Sequence, residues 1–150
     1  EALTRIEKFP KIGEFCIDAG GAPGGWAWVI QKLGARTLTI DRSPLDSRIS
    51  SLPNVEYQKG DVFSIKPSDF DKVDWLFSDV ICYPEKLFDW ISLWIDSKKC
   101  RNLVCTIKLQ GIPDHAIAKK FLGIEGSQVI HLYNNKNELT FIYTESKLNN

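Results

Sequence analysis

The stretch Phe15-Cys16-Ile17-Asp18-Ala19-Gly20-Gly21-Ala22-Pro23-Gly24-Gly25-Trp26 decides the fold. Phe15 to Asp18 is a short apolar run closed by an acid, as a buried strand would be, and it leads straight into a glycine cluster. From Trp26 to Leu33 the apolar spacing is helical, and Gly34 supplies the stop. Strand, glycine loop and helix in that order open an α/β unit, and the rest of the chain repeats the alternation. Thr37–Asp41, Val55–Gln58 and Asp74–Asp79 read as the next three strands, and Leu103–Ile107, running into Lys108, as the fifth. Between them, Pro84 to Lys98 carries a helical stripe of Leu87, Phe88, Ile91, Leu93, Trp94 and Ile95, with proline where a first turn tolerates it. Pro113 to Leu122 suits a further helix. Val129–Tyr133 and Leu139–Tyr143, joined by the turn-rich Asn134–Asn137, predict a closing antiparallel hairpin. The expectation is one α/β domain over residues 1–150 with a mostly parallel seven-stranded sheet, frayed only in the tail from Glu145.

Composition sets limits on what such a domain does. The 150 residues carry 19 Lys plus Arg and 19 Asp plus Glu, a formal charge of zero. That lacks the basic footprint of an autonomous nucleic-acid binder, so a polyanion would be met by a local patch or by a domain outside this sequence. Cys16, Cys82, Cys100 and Cys105 form no CxxC pair and no metal spacing with His115 or His131. Reduced thiols, no metal and a cytoplasmic location are expected. No apolar run approaches the roughly 18 residues of a membrane span. The sequence holds no methionine, so the chain is expected to begin inside a longer gene product or after processing.

In open α/β sheets, ligands bind beyond the carboxyl ends of the strands where the strand order reverses, which puts Gly20 to Gly25 at the site. Successive glycines let a ligand approach the backbone, and the following helix offers its positive end. The dinucleotide fingerprint is a poor fit, because Ala22 stands at its second glycine and Pro23 removes an amide. Asp41, 21 residues after Gly20, lies near the offset at which an acid takes ribose hydroxyls. An adenosine-bearing ligand follows, with a nucleotide-dependent oxidoreductase as a competing reading.

These residues resemble the FtsJ-like S-adenosylmethionine-dependent ribosomal RNA ribose 2′-O-methyltransferases over nearly the whole chain. The resemblance implies a three-layer Rossmann-like methyltransferase sandwich. Asp18 to Trp26 is similar to that family's first motif, with Ala19 where leucine is usual. It implies that S-adenosyl-L-methionine is held by Asp18, Gly20, Ala22, Pro23, Gly24, Gly25 and Trp26, with Asp41, Asp61 and Asp79 at the later cofactor positions. Lys108 resembles the catalytic lysine and Glu138 the late glutamate, with Asp79 as the acid between. Cys100-Arg101-Asn102, Trp75, Pro84 and Trp94 are closest to the branch that modifies a cytidine of large-subunit ribosomal RNA. The family's Lys-Asp-Lys-Glu set begins with a lysine on a helix before the first motif, and counting back from Asp18 puts it upstream of Glu1. Lys8 and Lys11 stand too near the strand to match.

The implied chemistry is alignment of a ribose hydroxyl with an activated methyl group. Asp79 and Lys108 end adjacent expected strands, so the carboxyl-end rule brings both to the cleft mouth. Lys108 acts as base if burial or neighbouring cations depress its pKa, or stays charged and stabilises the forming alkoxide. The alternative is a catalytically silent module of the same fold that binds S-adenosylmethionine or RNA. Lys98, Lys99, Arg101, Lys119 and Lys120 are candidate phosphate contacts, and a solvated surface explains them equally well. Cys82 is a candidate for the substrate mouth. Trp26 has a plain alternative as a helix anchor, and Trp75, Trp94, Phe77 and Phe88 are expected in the core.

Overall fold

The computed structural model describes residues 1–109 and 115–145. Seven strands form one sheet: β1 (Phe15–Ala19), β2 (Arg36–Asp41), β3 (Val55–Lys59), β4 (Val73–Ser78), β5 (Cys100–Lys108), β6 (Ser127–Ile130) and β7 (Glu138–Thr144). Their order is β3-β2-β1-β4-β5-β7-β6, parallel except for β7, which pairs antiparallel with both β5 and β6. The chain leaves β1 to build one half and returns beside it to build the other, so the order reverses between β1 and β4.

Helices α1 (Ala2–Arg5), α2 (Gly25–Lys32), α3 (Ser47–Ser50), α4 (Pro84–Asp96) and α5 (His115–Leu122) complete the layers. Alternation along each strand divides the core in two. One face places Cys16, Trp75, Phe77, Val104 and Ile142 against Ile30 of α2 and Leu3 of α1. The other packs Ile17, Leu76, Leu103, Cys105 and Phe141 beneath Leu87, Ile91 and Trp94 of α4 and Phe121 of α5. The three-layer α/β sandwich read from the sequence is the observed architecture.

Some boundaries differ, each for a local reason. On α4 the buried stripe is Pro84, Leu87, Trp90, Ile91 and Trp94. Leu93, expected in it, is 59% exposed, because the helical turn of about 100° per residue carries it off the face that Trp90 and Trp94 share. His131, Leu132 and Tyr133 fall outside β6. Asn135 Oδ1 accepts from the Leu132 amide at 2.8 Å and from Thr140 Oγ1 at 3.1 Å, drawing the backbone out of the ladder. β5 starts three residues earlier than expected, at Cys100, and the short helices α1 and α3 have no counterpart in the sequence reading. The start of the expected helix at Pro113 and most of the tail from Glu145 lie outside the described residues.

At the amino ends of the strands a polar clasp fastens the segment before β1. Asn102, 3% exposed, donates to the Asp74 carbonyl at 2.8 Å and accepts from Lys8 Nζ at 2.8 Å. The Trp75 indole donates to Glu14 at 2.9 Å, and Asp74 accepts from the Phe15 amide at 3.0 Å. Arg101 pairs with Asp74 and Glu145, and Lys99 donates to the Phe70 carbonyl. Lys99 and Arg101, two of the candidate phosphate contacts, therefore serve the end of the sheet opposite the carboxyl-end cleft.

Candidate active site

The carboxyl ends of β1, β2, β4 and β5 surround a cleft of about 720 Å³, within the usual range for a small-molecule site. Of the residues singled out from the sequence, Gly20, Ala22, Asp41, Asp61, Asp79 and Lys108 line it, as does Cys82. Asp41 closes β2, with Oδ2 accepting from the Ala22 amide at 3.1 Å and Oδ1 from the Ser43 amide at 2.8 Å. Each oxygen keeps a further lone pair for a ligand. Asp61 accepts from the Phe63 amide at 3.0 Å and is paired with Arg42 at 2.5 Å. The Phe63 amide first, then Arg42, hold its carboxyl below the usual range.

The glycine loop is built around a buried acid. Asp18 is 1% exposed and sits under the loop, not in the cleft lining. Its Oδ2 accepts from Thr39 Oγ1 at 3.4 Å, and the Ala27 amide of α2 also donates to it. Burial pushes its carboxyl up to about 7 against those hydrogen bonds. Gly21 lies directly over it, and a Cβ there would overlap the Asp18 carboxylate. Gly20 has φ +77°, and a side chain there would press on the Val80 backbone at 3.0 Å. The Ala22–Pro23 peptide is cis. Pro23, Gly24 and Gly25 turn to a shallow depression on the loop's outer side with Trp28, Asp46, Arg48 and Ile49.

Where β4 and β5 end, Lys108 Nζ donates to Asp79 Oδ1 at 2.6 Å and to Glu138 Oε1 at 2.8 Å. Two registers account for this. β4 and β5 pair in parallel up to Ser78 and Cys105, which brings their ends side by side, and Lys108 stands directly opposite Glu138 in the antiparallel pair of β5 with β7. Burial alone would lower the Lys108 pKa, but the bonds to Asp79 and Glu138 outweigh it and leave the value raised. Of the two roles open to Lys108, this arrangement favours the charged one.

Asp79 also borders a second hollow of about 350 Å³, with Glu138, Trp26, Phe77, Val104, Thr106 and Thr140 in its walls. Trp26 packs edge-on against Phe77 at 5.0 Å between ring centroids, so it both anchors α2 and lines this hollow. Trp75, Phe77 and Trp94 are buried, and Phe88 packs against Phe121 at 5.3 Å. Lys8, held at Asn102, is at the far end of the sheet from Lys108. Arg42, Ser43, Phe63, Tyr83 and Lys86 also line the cleft, and the sequence reading does not single them out. They follow Asp41, Asp61 and Asp79 in sequence, so the carboxyl-end rule extended a few residues further would have found them.

All four cysteines are free. Burial raises the thiols of Cys16, Cys100 and Cys105, and that of Cys82 to a lesser degree. Among the described residues no group of three or more His, Cys, Asp and Glu could hold a metal ion, and no helix is long and apolar enough to cross a membrane.

Comparison with known proteins gives the chain's relatives and the solved structures that share its fold. The model of a family described as FtsJ-like methyltransferase matches residues 1–147. A ribosomal RNA large subunit methyltransferase M from Halorhodospira halophila is 34% identical over 112 residues, covering 73% of this chain and 32% of that protein. A protein of the same name from Thauera aminoaromatica is 28% identical over 144 residues, covering 89% and 39%. The chain thus spans about a third of the length of these curated relatives. Among solved structures, one from Plasmodium falciparum described as a ribosomal RNA methyltransferase aligns with a TM-score of 0.67 at 16% identity, covering 95% of this chain and 92% of that one. A magnesium protoporphyrin IX methyltransferase from Synechocystis with bound S-adenosylmethionine aligns with a TM-score of 0.63 at 17% identity, covering 95% and 75%.

Proposed function

Because the chain belongs to the FtsJ-like methyltransferase family, we propose that it is the catalytic domain of a cytoplasmic enzyme that methylates ribose 2′-hydroxyls of large-subunit ribosomal RNA, using S-adenosyl-L-methionine. The observation that carries this reading is the Lys108 ammonium held between Asp79 and Glu138 at the mouth of the cleft.

The donor set suits S-adenosylmethionine. Asp41 presents free lone pairs for ribose hydroxyls, Asp61 stands in the adjoining wall for an adenine amine, and Asp79 supplies a carboxylate at the other end for an ammonium. Val62, Phe63 and Val80 give apolar surface in the same cleft. When bound, the sulfonium supplies an already activated methyl group. What remains for the protein is alignment, which supplies several kcal/mol of a barrier, and management of charge on the attacking oxygen. Lys108 performs the second task as a cation beside the forming alkoxide. Asp79 and Glu138 fix where its protons point. For Lys108 to serve as base, a further cation would have to oppose its two carboxylates.

Transfer of labelled methyl groups to large-subunit ribosomal RNA by the full-length protein tests the reading. Lys108→Ala is expected to lower the rate by about 100-fold or more, the scale of a lost proton-transfer or charge-stabilising group, with donor binding retained. Unchanged transfer in that variant would overturn the assignment. Donor binding without turnover on any RNA would favour the silent module.

A further inference from the structure

Tyr83 is the N-cap of α4 yet does little for that helix. Its side chain makes no capping hydrogen bond, at a position where Ser, Thr, Asp or Asn is preferred. The side chain is 67% exposed, and that of Ile81, two residues earlier, is 80% exposed. Among the described residues the Tyr83 ring stacks on no other ring and its hydroxyl has no hydrogen-bond partner. Both residues line the cleft that holds Asp79 and Lys108. The backbone beneath them is nevertheless fixed: the Leu87 amide donates to the Tyr83 carbonyl at 3.2 Å, and Pro84 is buried at the first helical position. Two large apolar side chains held in water at the rim of a polar cleft have no packing role, which is the pattern of a contact surface.

The neighbouring charge indicates the partner. Lys86, three residues after Tyr83 and so on the same side of the helix, also lines the cleft. Its ammonium lies 4.0 Å from the Phe63 ring centroid and makes no ion pair among the described residues. An exposed aromatic ring with a lysine one turn away matches the repeat of single-stranded RNA, a flat base followed by a phosphate.

We propose that Tyr83, backed by Ile81, is a stacking platform for the nucleotide next to the acceptor ribose, and that Lys86 takes the adjoining phosphate. This rests on the RNA reading above. Stacking of one base on one ring corresponds to a loss of roughly five- to hundred-fold in affinity when the ring is removed. Tyr83→Ser is the informative variant, since serine is a better N-cap and a purely structural tyrosine would show itself in stability. With the full-length protein and transcribed large-subunit ribosomal RNA, Tyr83→Ser is expected to raise the KM for RNA by that factor with kcat little changed. Calorimetric affinity for S-adenosylhomocysteine should be unaltered, the melting temperature equal or higher, and Tyr83→Phe close to the parent. An unchanged KM in Tyr83→Ser, as expected if the rim meets a protein instead, overturns the proposal. So does a parallel fall in S-adenosylhomocysteine affinity, which would make Tyr83 part of the donor pocket. Absence of any transfer to RNA by the parent protein would overturn the functional reading itself, and the platform with it.

Discussion

Replacing Asp18 by asparagine should flatten the dependence of stability on pH between about 4 and 7. Asp18 is sealed beneath the glycine loop with a hydroxyl and an amide for company and, among the described residues, no cation in contact; burial lifts its carboxyl from 3.8 to about 7. The sign follows from proton counting: between those two values the folded chain holds a proton on Asp18 that the unfolded chain has lost. Stability from this group is therefore complete below pH 3.8, falls as pH rises, and is fully lost once pH passes the folded value. The shift corresponds to about 4 kcal/mol in total, of which about 3 kcal/mol falls between about pH 5 and pH 8. Asparagine keeps the shape of the side chain and does not titrate. Urea unfolding of the parent and of Asp18→Asn at about pH 5 and pH 8 checks this, with the parent expected to lose about 3 kcal/mol more than the variant across that interval. Parallel behaviour would refute the reasoning, because it would mean that Asp18 is already ionised in the fold.

Gly21→Ala places a methyl group against the Asp18 carboxylate. It should cost about 1–3 kcal/mol by overpacking and weaken donor binding, as read by thermal unfolding and calorimetry; an unaltered melting temperature would show that the loop has room. Asn102→Ala removes the partner of the Asp74 carbonyl and of Lys8 at the opposite end of the sheet. It should destabilise by about 1–3 kcal/mol in urea without changing donor affinity, and a loss of donor affinity would show that the two ends are coupled.

The sheet is legible in the sequence because its strands carry their own punctuation. The acids Asp18, Asp41 and Asp79 mark where β1, β2 and β4 finish, and Gly34, with φ +84°, marks the end of α2 as its position predicts. The convergence of Asp79 with Lys108 follows from strand adjacency alone. The place of Glu138 does not: it depends on β7 lying between β5 and β6, a long-range pairing with no local signature. Leu93 and His131–Tyr133 depart from expectation for the same kind of reason, since the helix rotation is fixed by Trp90 and the strand end by Asn135. The charge state of Lys108 is equally illegible, being set by two carboxylates from other strands that outweigh its burial.

The position of β7 also imposes an order on assembly. Among the described strands β6 hydrogen-bonds only to β7, so it has no place on the sheet until the later segment is available. On a ribosome that delivers the chain from its amino end, the parallel half of the sheet and the glycine loop can form while Lys108 still faces Asp79 alone. Glu138 joins them when β7 docks along β5 and carries β6 in behind it. The Asp79–Lys108–Glu138 cluster is thus completed by the strand of this sheet that is synthesised last, and the emerging domain does not hold all three side chains together until its sheet is whole.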